Sequence, residues 1–156
     1  ENIELFERQK VLSKEEVQSR YEILMDEYEK QINIEALTML DIAKKDILPA
    51  ASKFSKELTD TIANKKAIGI DLTYELETAK KVSEYLTEAY QALITLEKDV
   101  EKLHSIDDFE KSAFYVRDFI IQDMAALRKP CDELEVVTSN EAWPFPTYGK
   151  LLFGIL

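Results

Sequence analysis

The side chains that could do chemistry are few, and their spacing argues against most of it. His104 is the sole histidine and Cys131 the sole cysteine. Glu101-Lys102-Leu103-His104 forms a Glu-x-x-His pair of the kind that binds iron inside helical bundles. A di-iron centre needs two such pairs facing inward plus further carboxylates, and one histidine cannot supply the second set. The pair also falls at a helix end, where a histidine sits favourably against the C-terminal dipole. A Cys/His nucleophile would need Cys131 within hydrogen-bond reach of His104, and nothing in the spacing brings them together. Cys131 instead occupies an apolar position of a helical stripe and reads as a small buried hydrophobe. Gly69, Gly149 and Gly154 are too isolated to form a phosphate-cradling loop. Asp107-Asp108 and Glu15-Glu16 read as helix caps and first-turn charges rather than as acid–base pairs. No catalytic, cofactor-binding or metal-ligating residue is assigned.

The scaffold around these residues is expected to be helical throughout. Only 3 Gly and 4 Pro occur in 156 residues, too few turn formers for a β-rich fold. Hydrophobic residues at 46% and charged residues at 33% give a globular balance, and the length suits one domain with a real core. The net charge of −11 disfavours nucleic acid and anionic membrane surfaces as partners. Lys44-Lys45, Lys65-Lys66 and Lys80-Lys81 are scattered among acids and read as solvated faces. No apolar run reaches the roughly 18 residues of a spanning helix, and no signal peptide opens the chain. The expectation is a soluble, cytoplasmic protein. The chain starts at Glu1, without Met and in helix-like sequence, which reads as a piece of something longer.

Periodicity predicts three long helices in an antiparallel bundle. Ser13-Lys14-Glu15-Glu16 is a capping box. From it Val17, Tyr21, Leu24, Tyr28, Ile32, Leu37, Leu40, Ile47, Ala51, Phe54, Leu58 and Ile62 form one apolar stripe to about Lys66. Pro49 should kink or break that helix near Ile47-Leu48, while Ala36, Ala43, Ala50 and Ala51 allow close approach. Gly69 marks the first turn, with Asp71 or Thr73 as the next cap. Leu72, Leu76, Ala79, Val82, Leu86, Tyr90, Leu93, Leu96, Val100 and Leu103 then recur at near-heptad spacing. After a turn capped by Ser105 or Asp107, a third stripe runs from Phe109 through Ala113, Val116, Ile120, Met124, Leu127, Cys131 and Leu134 to Val137. Pro130 predicts a second kink. A continuous first helix would be about 80 Å long against roughly 45 Å for the second, so its end should overhang and seek a partner elsewhere.

Residues 1–12 read as a linker, 13–140 as the bundle, and 141–156 as an extended aromatic tail. Pro144 and Pro146 disfavour helix across Trp143–Pro146. Trp143, Phe145, Tyr148, Leu151, Leu152 and Phe153 are the candidate interface residues, able to bind a partner or to lie across the bundle's own surface.

Several strings resemble the C-terminal region of the bacterial type III glutamine synthetases. They are Ser19-Arg20-Tyr21-Glu22-Ile23, Ile32-Asn33-Ile34-Glu35-Ala36-Leu37-Thr38-Met39-Leu40-Asp41-Ile42-Ala43-Lys44-Lys45 with Ile47-Leu48-Pro49-Ala50, Tyr115-Val116-Arg117-Asp118, and Trp143-Pro144-Phe145-Pro146-Thr147-Tyr148-Gly149. The resemblance implies a parent enzyme that joins ammonia to glutamate using ATP and Mg or Mn, assembled as a dodecamer of two stacked hexameric rings. Its metal-binding glutamates and phosphate-binding arginines belong to a catalytic domain, and none of their motifs can be placed here. The implied role is a non-catalytic C-terminal domain contacting its own catalytic domain and neighbouring subunits to build or pose the homo-oligomer. A regulatory domain gating the active site and a stand-alone helical scaffold are the alternatives.

Overall fold

The computed structural model describes residues 2–154, apart from the side chains of Asn2 and Tyr148. Every regular element among them is helical. In chain order these are α1 (Asn2–Arg8), α2 (Lys14–Ile42), a π turn at Ala43–Ile47, α3 (Leu48–Ala67), α4 (Thr73–Leu103), α5 (Phe109–Tyr115), a second π turn at Val116–Ile120, α6 (Ile121–Val137) and α7 (Tyr148–Phe153). The all-α class agrees with the sequence reading, but the count of three long helices does not. Only two α-helices are long, α2 with 29 residues and α4 with 31. The other two stretches are divided by π turns.

Pro49 explains the first division. It has no N–H to donate, and its ring crowds the carbonyl four residues back. The chain answers by widening one turn, so that the Leu48 N–H reaches back to the Ala43 carbonyl. Ala43, Ile47 and Leu48 all keep right-handed helical backbone angles, so the backbone does not break at the proline. Pro130 sits buried inside α6, and a second π turn comes earlier, at Val116–Ile120. That turn keeps Val116 and Ile120, both fully buried, on the core face.

The first cap forms as read from sequence. The Ser13 hydroxyl accepts from Glu16 N–H at 3.2 Å, and the Glu16 carboxylate accepts from Ser13 N–H at 2.7 Å. The next two caps need correction. Leu72 holds the N-cap of α4 without a side-chain bond, and the Thr73 hydroxyl is spent on Asp71 instead. Asp108, not Ser105 or Asp107, caps α5 by accepting from Lys111 N–H at 2.9 Å. Gly69 takes the positive φ of 73° expected after α3.

α4 is the spine, packed against both α3 and α6, while α2 packs on α5. Its buried positions Glu75, Val82, Ala89, Leu96 and Leu103 recur every heptad, with Leu93 and Val100 between them. Leu76 and Tyr90 fall off this seam and are exposed. Glu75 takes a core position because Lys65 of α3 meets its charge at 2.5 Å. Along α2 and α3 the buried set is Ala36, Leu40, Ala43, Ala51 and Leu58, so the small residues do allow α4 to approach. Leu24, Tyr28 and Leu37 of the predicted stripe stay exposed.

Candidate interface surfaces

The C-terminal segment is built from two opposed tendencies. Thr138 leaves the helix with φ −84° and ψ 142°. The amides of Ala142 and Trp143 then donate to the Ser139 carbonyl at 3.0 and 2.9 Å, closing a tight turn. Trp143 packs, half-buried, against the core, with the Phe145 ring set edge-on at 6.2 Å. Pro144 and Pro146 keep this part out of helix, as expected. The extended reading fails beyond them. Thr147 accepts from Lys150 N–H and caps the short helix α7, since no proline follows to prevent it.

The six candidate residues therefore divide. Trp143 lies across the bundle's own surface, and Phe145 sits beside it. Leu151, Leu152 and Phe153 are 64%, 74% and 75% exposed on α7. The side chain of Tyr148 falls outside the described residues.

A second apolar surface lies where α1 meets α2. Ile3, Phe6, Leu12, Val17, Tyr21 and Leu24 line a cleft of about 480 Å³. The Tyr21 hydroxyl donates to Glu110 at 3.1 Å and its ring meets Phe109 edge-on at 6.5 Å, which anchors the cleft floor to α5. Burial, followed by the Glu110 contact, raises the Tyr21 pKa above the usual phenol value. Leu24 remains 64% exposed. In the stretch read as a linker, Ile3, Leu5 and Phe6 lie on the helix α1, while Val11 and Leu12 lie in the turn that follows it.

A polar cluster between α4, α5 and α6 was not legible at all. The Tyr115 hydroxyl donates to Asp99 Oδ1 at 2.5 Å, and the Lys102 ammonium lies 4.9 Å from the Tyr115 ring centroid. Burial, then the hydrogen bond and charge of Asp99, pushes Asp123 up to about 6. Two carboxyls that close cannot both ionise freely.

The residues weighed for catalysis lie apart from such clusters. His104 caps the exposed end of α4, its Nε2 3.2 Å from Asn33 Nδ2. Cys131 is buried beside the groove between α2 and α6, and burial pushes its thiol up to about 11, away from the thiolate a nucleophile requires. Among the described residues no group of three His, Cys, Asp or Glu side chains is placed to hold a metal ion. None of the described helices is long and apolar enough to cross a membrane.

Residues 1–66 match the family described as the glutamine synthetase C-terminal domain. The chain is similar to that family over these residues. Its similarity to glutamine synthetases extends past the matched helices. A glutamine synthetase of Butyrivibrio fibrisolvens is 35% identical across 99% of this chain, which spans 22% of that relative. A type-3 glutamine synthetase of Dictyostelium discoideum is 30% identical across 97% of the chain and is likewise spanned over 22% of its length. A glutamine synthetase of Bacteroides fragilis is 24% identical across 93%. The chain thus corresponds to about a fifth of each glutamine synthetase, and these relatives are not all bacterial.

Proposed function

We propose that this chain is the non-catalytic helical end of a longer type III glutamine synthetase, and that it serves assembly or positioning of the oligomer. The observation that carries this reading is α7, which leaves three consecutive large apolar side chains in water next to an aromatic segment anchored on the core. Contiguous exposed apolar groups on a soluble protein mark contact surfaces. The similarity to synthetases over nearly the whole chain favours this over a stand-alone scaffold.

In this reading α2–α3, α4 and α5–α6 act as three rods running up, down and up. The ion pairs Lys65–Glu75 and Lys44–Glu97 support the first reversal, and Tyr115–Asp99 supports the second. The partners are the chain's own catalytic domain and neighbouring subunits of a homo-oligomeric synthetase, with the dodecamer as the expected assembly. Glutamate, ammonia, ATP and Mg or Mn belong to the catalytic part, and the setting is cytoplasmic.

The test is to delete residues 141–156 from the full-length synthetase and measure mass by light scattering together with glutamine formation. Smaller assemblies are expected. An unchanged dodecamer with unchanged activity would sink the assembly role.

A further inference from the structure

We propose that the tail from Ser139 to Phe153 is a strap held to the bundle by Trp143, which docks and releases as a unit while the bundle stays folded. The proposal concerns one chain in solution and does not depend on the assembly reading.

The elements of the bundle are tied to one another across the fold. Lys65 meets Glu75 and Lys44 meets Glu97, while the Tyr115 and Tyr21 hydroxyls donate to Asp99 and Glu110. The tail is held differently. Its hydrogen bonds stay within it: the Ala142 and Trp143 amides donate to Ser139, and the Lys150 and Leu151 amides donate to Thr147. The Phe145 ring meets Trp143, also within the tail. Among the described residues no hydrogen bond or ion pair joins Ser139–Phe153 to α1–α6.

What remains is packing, and it rests on one ring. Among the described tail residues only Trp143 packs against the buried core, whereas Leu151, Leu152 and Phe153 are exposed. The seat of that ring is incomplete. The indole Nε1–H is shut off from solvent with no acceptor among the protein's groups, and so is the hydroxyl of Thr138 at the end of α6. Thr138 is only 7% exposed. A buried polar group left unpaired opposes the burial that produced it, and each ordered residue of the tail gives up conformational freedom. One half-buried ring must outweigh both. The α4 seam has no such handicap, with Val82, Leu96 and Leu103 closed off completely or nearly so. The tail therefore lets go under conditions well short of those that unfold the bundle, as weakly held units do. Once released, the stretch from Ser139 to Tyr148 can carry Leu151, Leu152 and Phe153 over a radius of about 30 Å.

The test exploits the single tryptophan. Its fluorescence reads the strap, while far-ultraviolet circular dichroism reads the bundle. In a urea titration of the 156-residue chain the indole signal should shift first. Its denaturant slope should be less than about a third of the dichroism slope, because the surface exposed is small. In native-state hydrogen exchange the Ala142 and Trp143 amides should open about a hundredfold or more as readily as that of Leu96 in α4. Trp143→Ala should strip the Ala142 amide of its protection and leave helical content unchanged. Coincident fluorescence and dichroism transitions of equal slope overturn the proposal, since tail and bundle would then unfold as one unit. So does an indole already in water before urea is added, or an Ala142 amide that stays protected in Trp143→Ala.

Discussion

The hydroxyl of Tyr115 donates to Asp99 at 2.5 Å and so ties α5 to α4. Tyr115 is buried, its ring stacked on Phe119 at 4.7 Å, and Asp99 is half-buried. The bond therefore satisfies a carboxylate that water reaches poorly. Tyr115→Phe should keep the packing and lose the donor, at a cost of about 1–3 kcal/mol. Urea denaturation at neutral pH measures it, and a loss under a few tenths would show that Asp99 is satisfied by other means.

Asp123 gives the fold an unusual dependence on pH. Its pKa in the fold, about 6, lies above the ordinary aspartate value, so the folded chain holds this proton more tightly than the unfolded chain. The contribution is fully present below pH about 4 and is lost as pH rises through about 6. Asp99 and Tyr115 are the titratable groups that interact with it. Asp123→Asn should therefore be more stable than the wild type at pH 7.5, with the difference shrinking toward pH 4. Parallel stability profiles for the two proteins would refute this assignment.

Glu75 has the opposite sign. The Lys65 ammonium, first by hydrogen bond, holds its carboxyl below the usual glutamate value. Its contribution is present above pH about 4.5 and fades as pH falls below that. Glu75→Gln should lower the melting temperature at pH 7 and approach the wild type in acid. Lys65→Met should do the same, because the pair closes the α3–α4 turn.

Within the α4 seam, burial predicts a graded series. Leu93→Ala and Leu96→Ala remove nearly inaccessible side chains and should each cost about 2–5 kcal/mol. Leu86→Ala, at a half-buried position of the same stripe, should cost less. Equal losses at all three sites would mean that the seam is not the one described.

Much of this fold could be read from residue spacing, because its causes are local. The Ser13–Glu16 box, the Gly69 turn and the stripe from Ala113 to Leu134 each depend on neighbours within a turn or two of helix. Spacing alone puts Leu76 and Tyr90 in the core because they are apolar and near the heptad register, whereas Glu75 and Ala89 occupy the seam itself. A glutamate at a core position makes sense only once Lys65 is known to face it. Spacing puts Leu24 and Tyr28 in the same stripe, yet both are exposed, because whether an apolar face is covered depends on what lies opposite.

For the interfaces the division is similar. The prolines at 144 and 146 were enough to exclude helix from Trp143 to Pro146, but not to say where the tail would go. Trp143 and Leu152 look alike as large apolar residues in one segment, yet the first lies against the core and the second in water.

The sequence by itself determined the helical class, the Ser13–Glu16 start, the Gly69 stop, and similarity to the glutamine synthetases, since each is written in short-range spacing or in long odd strings such as Trp143–Gly149. Only the tertiary structure decided that Pro49 widens a turn without breaking the helix. It alone brought Asp99, Tyr115 and Asp123 together, and it alone set Trp143 against the core while leaving Leu152 in water. Those are consequences of which surfaces meet across distant parts of the chain, and burial, pKa and reach are set by that meeting.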